Sequence, residues 1–215
     1  CQNPWRASAM LRHLTLAALL VSGTPAFAVG DVAAGKTLYA PCAVCHGPQA
    51  EGNEALRAPK LAGQADWYLT RQLQNFKAGI RGADKNDLYG QQMAPMAATL
   101  ADDNAIANVV AFVGSLPDTP VEAKVAGDAA KGKAAYAACA TCHWWKAEGM
   151  QAMDAPRLAG MSDWYLVQQL QNFRSGLRGK HPQDAYGMQM LPMAAALAND
   201  QAVNDVIAYI NSIGN

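Results

Sequence analysis

The chain has 215 residues, 51% of them hydrophobic and 16% charged, the composition of a globular protein rather than a disordered one. Lys+Arg and Asp+Glu each number 17, so the formal net charge is zero and the basic surface that nucleic-acid binding needs is missing. Five cysteines are too few for a disulfide scaffold of this length. Frequent Ala and sparse β-branched residues favour helices.

Residues 1–28 read as an N-terminal extension followed by a secretory signal peptide. Met10-Leu11-Arg12-His13 is a short basic start, and Leu14 to Val21 is apolar but too short to span a bilayer. Ala26-Phe27-Ala28 offers small residues at the two positions a signal peptidase reads. A buried N-terminal helix is the alternative. Residues 1–9 precede Met10, which reads as the initiator. Cys1 stands before the leader, whereas an acylated lipoprotein Cys follows one. The mature chain is expected to run from Val29 to Asn215. It keeps 15 basic residues, the 17 less Arg6 and Arg12, against 17 acidic ones, for a net charge of −2. No later apolar run is long enough for a membrane span, so an exported, soluble product is expected.

The mature chain is written twice. A shift of 97 residues aligns Cys42 with Cys139, Trp67 with Trp164, Tyr89 with Tyr186, Met93 with Met190 and Leu100 with Leu197, with no gap. More than half of positions 31–116 are identical to their counterparts in 128–213. The expected organisation is one domain over 29–116, a linker over 117–127 and a second domain over 128–215. Pro117 and Pro120 break any helix between them. Each copy is small enough that an unaided apolar core is marginal, so something should supplement it.

Each copy reads as three main helices, an all-α fold. Asp31 and Asp128 are good N-caps for the first. The second covers Asp66 to Phe76, with Leu69, Leu73 and Phe76 on one face and Gly79 after it. The third starts at Asp102 or Asp103 and aligns Ile106, Val109, Val110 and Val113. The stretches Gly47–Ala65 and Gly82–Ala101 read as long loops, which need something to pack on.

Cys42-Ala43-Val44-Cys45-His46 and Cys139-Ala140-Thr141-Cys142-His143 are both C-x-x-C-H, the attachment pattern of c-type haem. Two thiols near one helix end reach two vinyl groups, and the adjacent His reaches the iron from the same side. A thioredoxin-like dithiol would need a βαβ unit, and zinc would need more Cys or His per copy. Two covalent haem c groups, one per copy, are therefore expected as cofactors. The mature chain has three histidines: His46, His143 and His181. His181 aligns with Asp84 and so lies outside the repeated machinery, as a loop residue. Two bis-His haems are then impossible from this chain, and Met is the distal candidate. Met93 with Met190, and Met96 with Met193, are the repeated pairs; spacing does not choose between them, since Met also fills core gaps.

The whole mature chain resembles the dihaem class I cytochromes c of the cytochrome c4 type. Each half carries C-x-x-C-H, then Pro-x-Leu-Ala-Gly, then Tyr-Leu-x-x-Gln-Leu, then a Met stretch before a last helix. The resemblance implies Met93 and Met190 as distal ligands, seven residues before Leu100 and Leu197, with His46 and His143 proximal. It implies that Pro59 and Pro156 accept the ring N–H of those histidines through their carbonyls. It pairs Gly35 and Tyr39 on the first helix with Val109 and Phe112 on the last, and Gly132 and Tyr136 with Val206 and Tyr209. Trp67, Tyr68 and Arg81, with Trp164, Tyr165 and Arg178, are either donors to haem propionates or ordinary packing and surface groups.

One feature departs from that family. The residue after the proximal His is normally Gly; the first copy has Gly47-Pro48, but the second has Trp144-Trp145. Packed against the haem, two tryptophans would exclude water and raise the potential of the haem at Cys139 and Cys142. A docking patch and neutral loop drift are the alternatives.

The function implied is single-electron shuttling in the periplasm, between a quinol-oxidising complex or dehydrogenase and a terminal oxidase or reductase. The runner-up is a dihaem subunit bound tightly within a multi-subunit dehydrogenase. A dihaem enzyme would need an open iron position or an unusual ligand such as Cys, and no mature Cys remains after the motifs are served. A pyridine haemochrome assay should return two haem c per chain; one per chain, or haem extractable by acidified solvent, would contradict the paired motifs.

Overall fold

A computed structural model describes residues 30–214, so the expected leader over 1–28 lies outside the described residues. Among the described residues the chain forms eight α-helices and one 3-10 turn, Gln151–Met153, with no strand beyond isolated bridges at Asn53 with Ala58 and Met150 with Ala155. The first copy holds α1 (Val32–His46), α2 (Asp66–Lys77), α3 (Leu88–Ala98) and α4 (Asp103–Gly114). The second holds α5 (Ala129–His143), α6 (Asp163–Ser175), α7 (Ala185–Ala195) and α8 (Asp200–Gly214). The fold is all-α.

Local chemistry starts the helices. The Asp31 carboxylate accepts from the N–H groups of Ala33 and Ala34, and Asp128 does the same for Ala130 and Lys131. Asp102 caps α4 through Ala105 N–H. The first helix of each copy then crosses the last. The crossing is close because a Cβ on Gly35 would run into the Asn108 carbonyl, and one on Gly132 into the Asp205 carbonyl. Tyr39 packs on Phe112 with ring centroids 5.3 Å apart, and Tyr136 on Tyr209 at 5.4 Å. Ile106, Val109, Val110 and Val113 complete the first core beside Tyr39 and Leu69. Val203, Val206, Ile207 and Ile210 complete the second beside Tyr136 and Leu166. Each of these aliphatic burials contributes about 1.5–3 kcal/mol.

Each copy has four helices, not three. The stretch Gly82–Ala101, expected to be a loop, contains α3, and its counterpart contains α7. Asp87 starts α3 by accepting Gly90 N–H at 3.0 Å, and Asp184 starts α7 through Gly187 N–H at 3.0 Å. Pro95 and Pro192 lie inside these helices and remove a ladder donor, which disguises them as loops. No single described helix is long and apolar enough to cross a membrane.

Residues 117–127 run without helix and are tied into the interface between the copies. Lys60 and Arg157 occupy the same repeat position, and Asp118 bridges them, at 2.6 Å to Lys60 Nζ and 2.6 Å to Arg157 Nη1. Lys60, 2% exposed, also donates to the carbonyls of Thr119 and Gly160 at 2.6 and 3.0 Å. Further along, Lys124 and Val125 donate their backbone N–H groups to the buried Asp163 carboxylate at 2.6 and 2.8 Å.

Burial pulls the Asp118 carboxyl upward, but the hydrogen bonds from Lys60 and Arg157 outweigh it and hold the group below its ordinary value. A carboxyl with a depressed folded pKa stabilises the fold above its unfolded value of about 3.9, and that stability is lost as pH falls through the folded value. Asp118→Asn should therefore cost about 1 kcal/mol at pH 7, as expected for a partly exposed ion pair. The difference from wild type should shrink below about pH 3.9. Urea melts at the two pH values check this; an equal loss at both would contradict it.

Candidate haem sites

The motif histidines stand at the C-terminal ends of α1 and α5, each 5% exposed. His46 Nδ1 lies 2.8 Å from the Pro59 carbonyl, and His143 Nδ1 lies 2.8 Å from the Pro156 carbonyl. A carbonyl can only accept, so Nδ1 carries the hydrogen and Nε2 keeps its lone pair. Burial lowers both imidazole pKa values, against the opposing pull of the carbonyl bond. The neutral ring is the form that ligates a metal ion. The chain after each His is pinned by a buried phenol: Tyr39 OH donates to the Gly47 carbonyl at 2.9 Å, and Tyr136 OH to the Trp144 carbonyl at 2.8 Å. Cys42, Cys45, Cys139 and Cys142 form no disulfide, so all four sulfurs are available for thioether bonds.

In the second copy these groups open onto a cavity of about 270 Å³. Cys139, Cys142 and His143 line one part of it, and Met190 and Met193 another. Both methionines line it, so the lining does not choose between them. Tyr68, Arg71 and Gln72 of the first copy close the cavity from the far side. The site of the second copy is thus completed by the first.

The contact between copies is a cross-braced pair of half-buried arginines. Arg81 donates to Gln72 Oε1 at 2.7 Å in its own half, and to Tyr165 OH and Gln169 Oε1 at 2.8 and 3.0 Å in the other. Arg178 mirrors it, donating to Gln169 Oε1 at 2.8 Å and to Tyr68 OH and Gln72 Oε1 at 3.0 Å each. The guanidinium carbons sit 4.5 and 4.6 Å from the rings of Phe76 and Phe173. Burial would raise the Tyr68 hydroxyl pKa, but Arg178 and Arg81 outweigh it and hold the group below its usual value. All these hydrogen-bond partners are neutral, and Arg178 Nε is buried with no partner at all. Buried guanidinium groups call for anions. The propionate carboxylates of a haem are such anions, so this lining fits the group that the cysteines and histidines imply.

The family described as Cytochrome c matches residues 32–117 and again 129–214. The chain belongs to the cytochrome c family. It is 35% identical over 203 residues to cytochrome c4 of Azotobacter vinelandii, covering 87% of this chain and 91% of that one. It is 34% identical to a protein of Stutzerimonas stutzeri named thiosulfate dehydrogenase electron acceptor, covering 80% of this chain and 79% of the relative. The solved structure of reduced cytochrome c4 from Pseudomonas stutzeri superposes with a TM-score of 0.64 at 27% identity, covering 84% of this chain and 97% of that one. The protein is a dihaem, cytochrome c4-like electron carrier with two covalently bound haem c groups.

In this cytochrome the tryptophan pair does not shield a haem. Trp144 and Trp145 are 48% and 64% exposed, and neither lines the second cavity. The expected rise in potential of the second haem therefore loses its cause. Trp144 also has φ 66° and ψ 169°, where its counterpart Gly47 has φ 79° and ψ 155°. That region is almost confined to glycine, because a Cβ is strained there. His181 sits in the turn before α7, where its Nδ1 accepts from Gln183 N–H at 3.2 Å.

Trp67 and Trp164 do not line the second cavity; each carries an arginine at the interface, Arg71 at 5.0 Å and Arg57 at 4.8 Å. Sequence reasoning gave no role to Gln72 and Gln169, which each accept from both arginines. The available signal was an identical polar residue on the buried side of the same helix in both copies. Replacing Trp144 by Gly should stabilise the fold by about 1 kcal/mol through relief of the backbone strain. The Trp144→Gly, Trp145→Pro pair should leave both midpoint potentials where they are. Thermal melts and potentiometry check these; a shifted potential would place the tryptophans against the haem after all.

Proposed function

We propose that this cytochrome shuttles single electrons in the periplasm, between a quinol-oxidising complex or a dehydrogenase and a terminal oxidase or reductase. The observation that carries this reading is the pair of buried His–Pro clamps, one per half, at the ends of α1 and α5. In this reading Cys42 and Cys45, and Cys139 and Cys142, hold the two haems through thioether bonds. His46 and His143 would hold the irons through Nε2, and Met93 and Met190 would hold them through their thioether sulfurs. Met96 and Met193 form pocket wall. Arg81, Arg178, Tyr68 and Tyr165 receive the propionates.

Once bound, each haem supplies a ferric–ferrous couple that exchanges one electron. The protein's part is to keep the pocket rigid, exclude water and leave one edge within reach of a partner. Val44, between the two cysteines of the first motif, is 75% exposed, which supports an accessible thioether edge in the first half. With His46 and Met93, and His143 and Met190, as ligands, the irons would have no position left for a substrate. The leader over 1–28 supports export. The relative named as a thiosulfate dehydrogenase electron acceptor supports a dehydrogenase as one donor class.

Met93→Ala should abolish the Met-to-iron charge-transfer absorbance of one haem and lower its potential, and Met190→Ala should do so for the other. Met96→Ala and Met193→Ala should retain both bands. The reverse pattern would reassign the ligands. Mixing the reduced protein with membranes that contain a terminal oxidase should give reoxidation under single-carrier kinetics. Isolation only as a complex with a flavin, molybdenum or quinone subunit would instead favour a fixed subunit.

A further inference from the structure

We infer that the cavity lined by Arg57 of the first half and Trp164 of the second is a binding site for a small organic carboxylate, with the Arg57 guanidinium as its anion receptor. The site stands apart from electron transfer. None of the motif cysteines, motif histidines or repeated methionines lines this cavity.

The seam makes an ion pair on one side and breaks it on the other. On one side Arg71 Nη1 lies 2.5 Å from Asp154 Oδ1, and Nη2 donates to the Asp154 carbonyl at 2.9 Å. Shifted by the repeat, Asp154 corresponds to Arg57 and Arg71 to Gln168. The loop position now carries the cation, and the helix position carries a neutral amide in place of a charge. No carboxylate completes the pair. Arg57 and Gln168 instead line a cavity of about 350 Å³.

Arg57 is held in place for the task. Its loop is closed by Asn53 N–H on the Ala58 carbonyl at 2.7 Å and Ala58 N–H on the Asn53 carbonyl at 2.9 Å. The guanidinium carbon lies 4.8 Å from the Trp164 ring and 5.5 Å from the Tyr89 ring. Arg57 Nε is buried with no hydrogen-bond partner, and the guanidinium makes no ion pair among the described residues. The carboxylates next along the chain are already engaged. Glu54 pairs with Lys124 at 3.1 Å. Asp163, beside Trp164, accepts from the N–H groups of Lys124 and Val125 and from Asn211 Nδ2. Asp205, beside Asn204, accepts from Asp128 N–H and Gln201 Nε2. The fold therefore draws a cation out of water and supplies it no counter-ion.

The rest of the lining selects among anions. A carboxylate can accept from Nε and Nη of one guanidinium together, the bidentate geometry that Arg favours. The amides of Gln168, Gln171 and Asn204 line the same cavity and offer donors for the remaining lone pairs. Val125, Val167 and Trp164 give it an apolar wall. That wall suits a short hydrocarbon body, which an inorganic oxyanion lacks. An apolar wall with a few convergent polar groups is the usual form of a small-molecule site.

NMR of the reduced, haem-loaded protein at constant ionic strength tests this, with sodium butanoate as the probe. Saturable shifts of the Arg57 Nε–H and Trp164 indole N–H signals are expected. Butanamide, the uncharged analogue, and sulfate, an oxyanion without a hydrocarbon body, should each bind about tenfold more weakly or worse. Arg57→Gln should weaken butanoate binding about 10- to 100-fold, the loss of a charge-assisted hydrogen bond. Gln168→Glu should weaken it as much with Arg57 in place, by giving Arg57 the internal carboxylate that Asp154 gives Arg71. Shifts that do not saturate, or that persist in both variants, would overturn the inference. Butanamide or sulfate binding as tightly as butanoate would overturn it too, by removing the role of the charge or of the apolar wall.

Discussion

A guanidinium group drawn out of water without a counter-ion is costly for a protein to hold, and this one half-buries two of them at the seam between its halves. Arg81 and Arg178 are each held by one glutamine from their own half and by a tyrosine and a glutamine from the other. Neither half can satisfy its arginine alone. The seam thus fixes how the copies meet, and it directs positive charge toward the place where two haems bring carboxylates. Cofactor binding and domain docking draw on the same side chains.

The duplication explains both the likeness of the sites and their difference. Groups beside the irons repeat: the histidine, its proline carbonyl, the tyrosine that pins the following chain. Groups at the seam are free to diverge, because each meets a partner from the other copy and not its own equivalent. Lys60 and Arg157 remain basic because one linker carboxylate serves them both. Asp154 and Arg57 have opposite charge at one repeat position, which breaks the electrostatic symmetry without moving a ligand.

Features encoded by short-range chemistry were legible in the sequence. The C-x-x-C-H motifs, the Asp caps at Asp31, Asp102 and Asp128, and the aliphatic faces of the last helices all speak within a few residues. The α3 and α7 helices were not, since Pro95 and Pro192 interrupt their ladders and Asp87 and Asp184 start them inside an apparent loop. The seam was legible only as repeated arginines and aromatics, because a partner some 80 to 110 residues away leaves no local pattern. Of the readings left open for Trp144, shielding of the haem fails for a similar reason: its type allowed burial, while the chain leaves it half exposed.

If the half-buried arginines join the halves as described, the halves should unfold together. Differential scanning calorimetry of the haem-loaded protein tests that most directly. One transition is predicted, with a calorimetric enthalpy equal to its van't Hoff enthalpy. Two separated transitions, one for each half, would contradict the coupling.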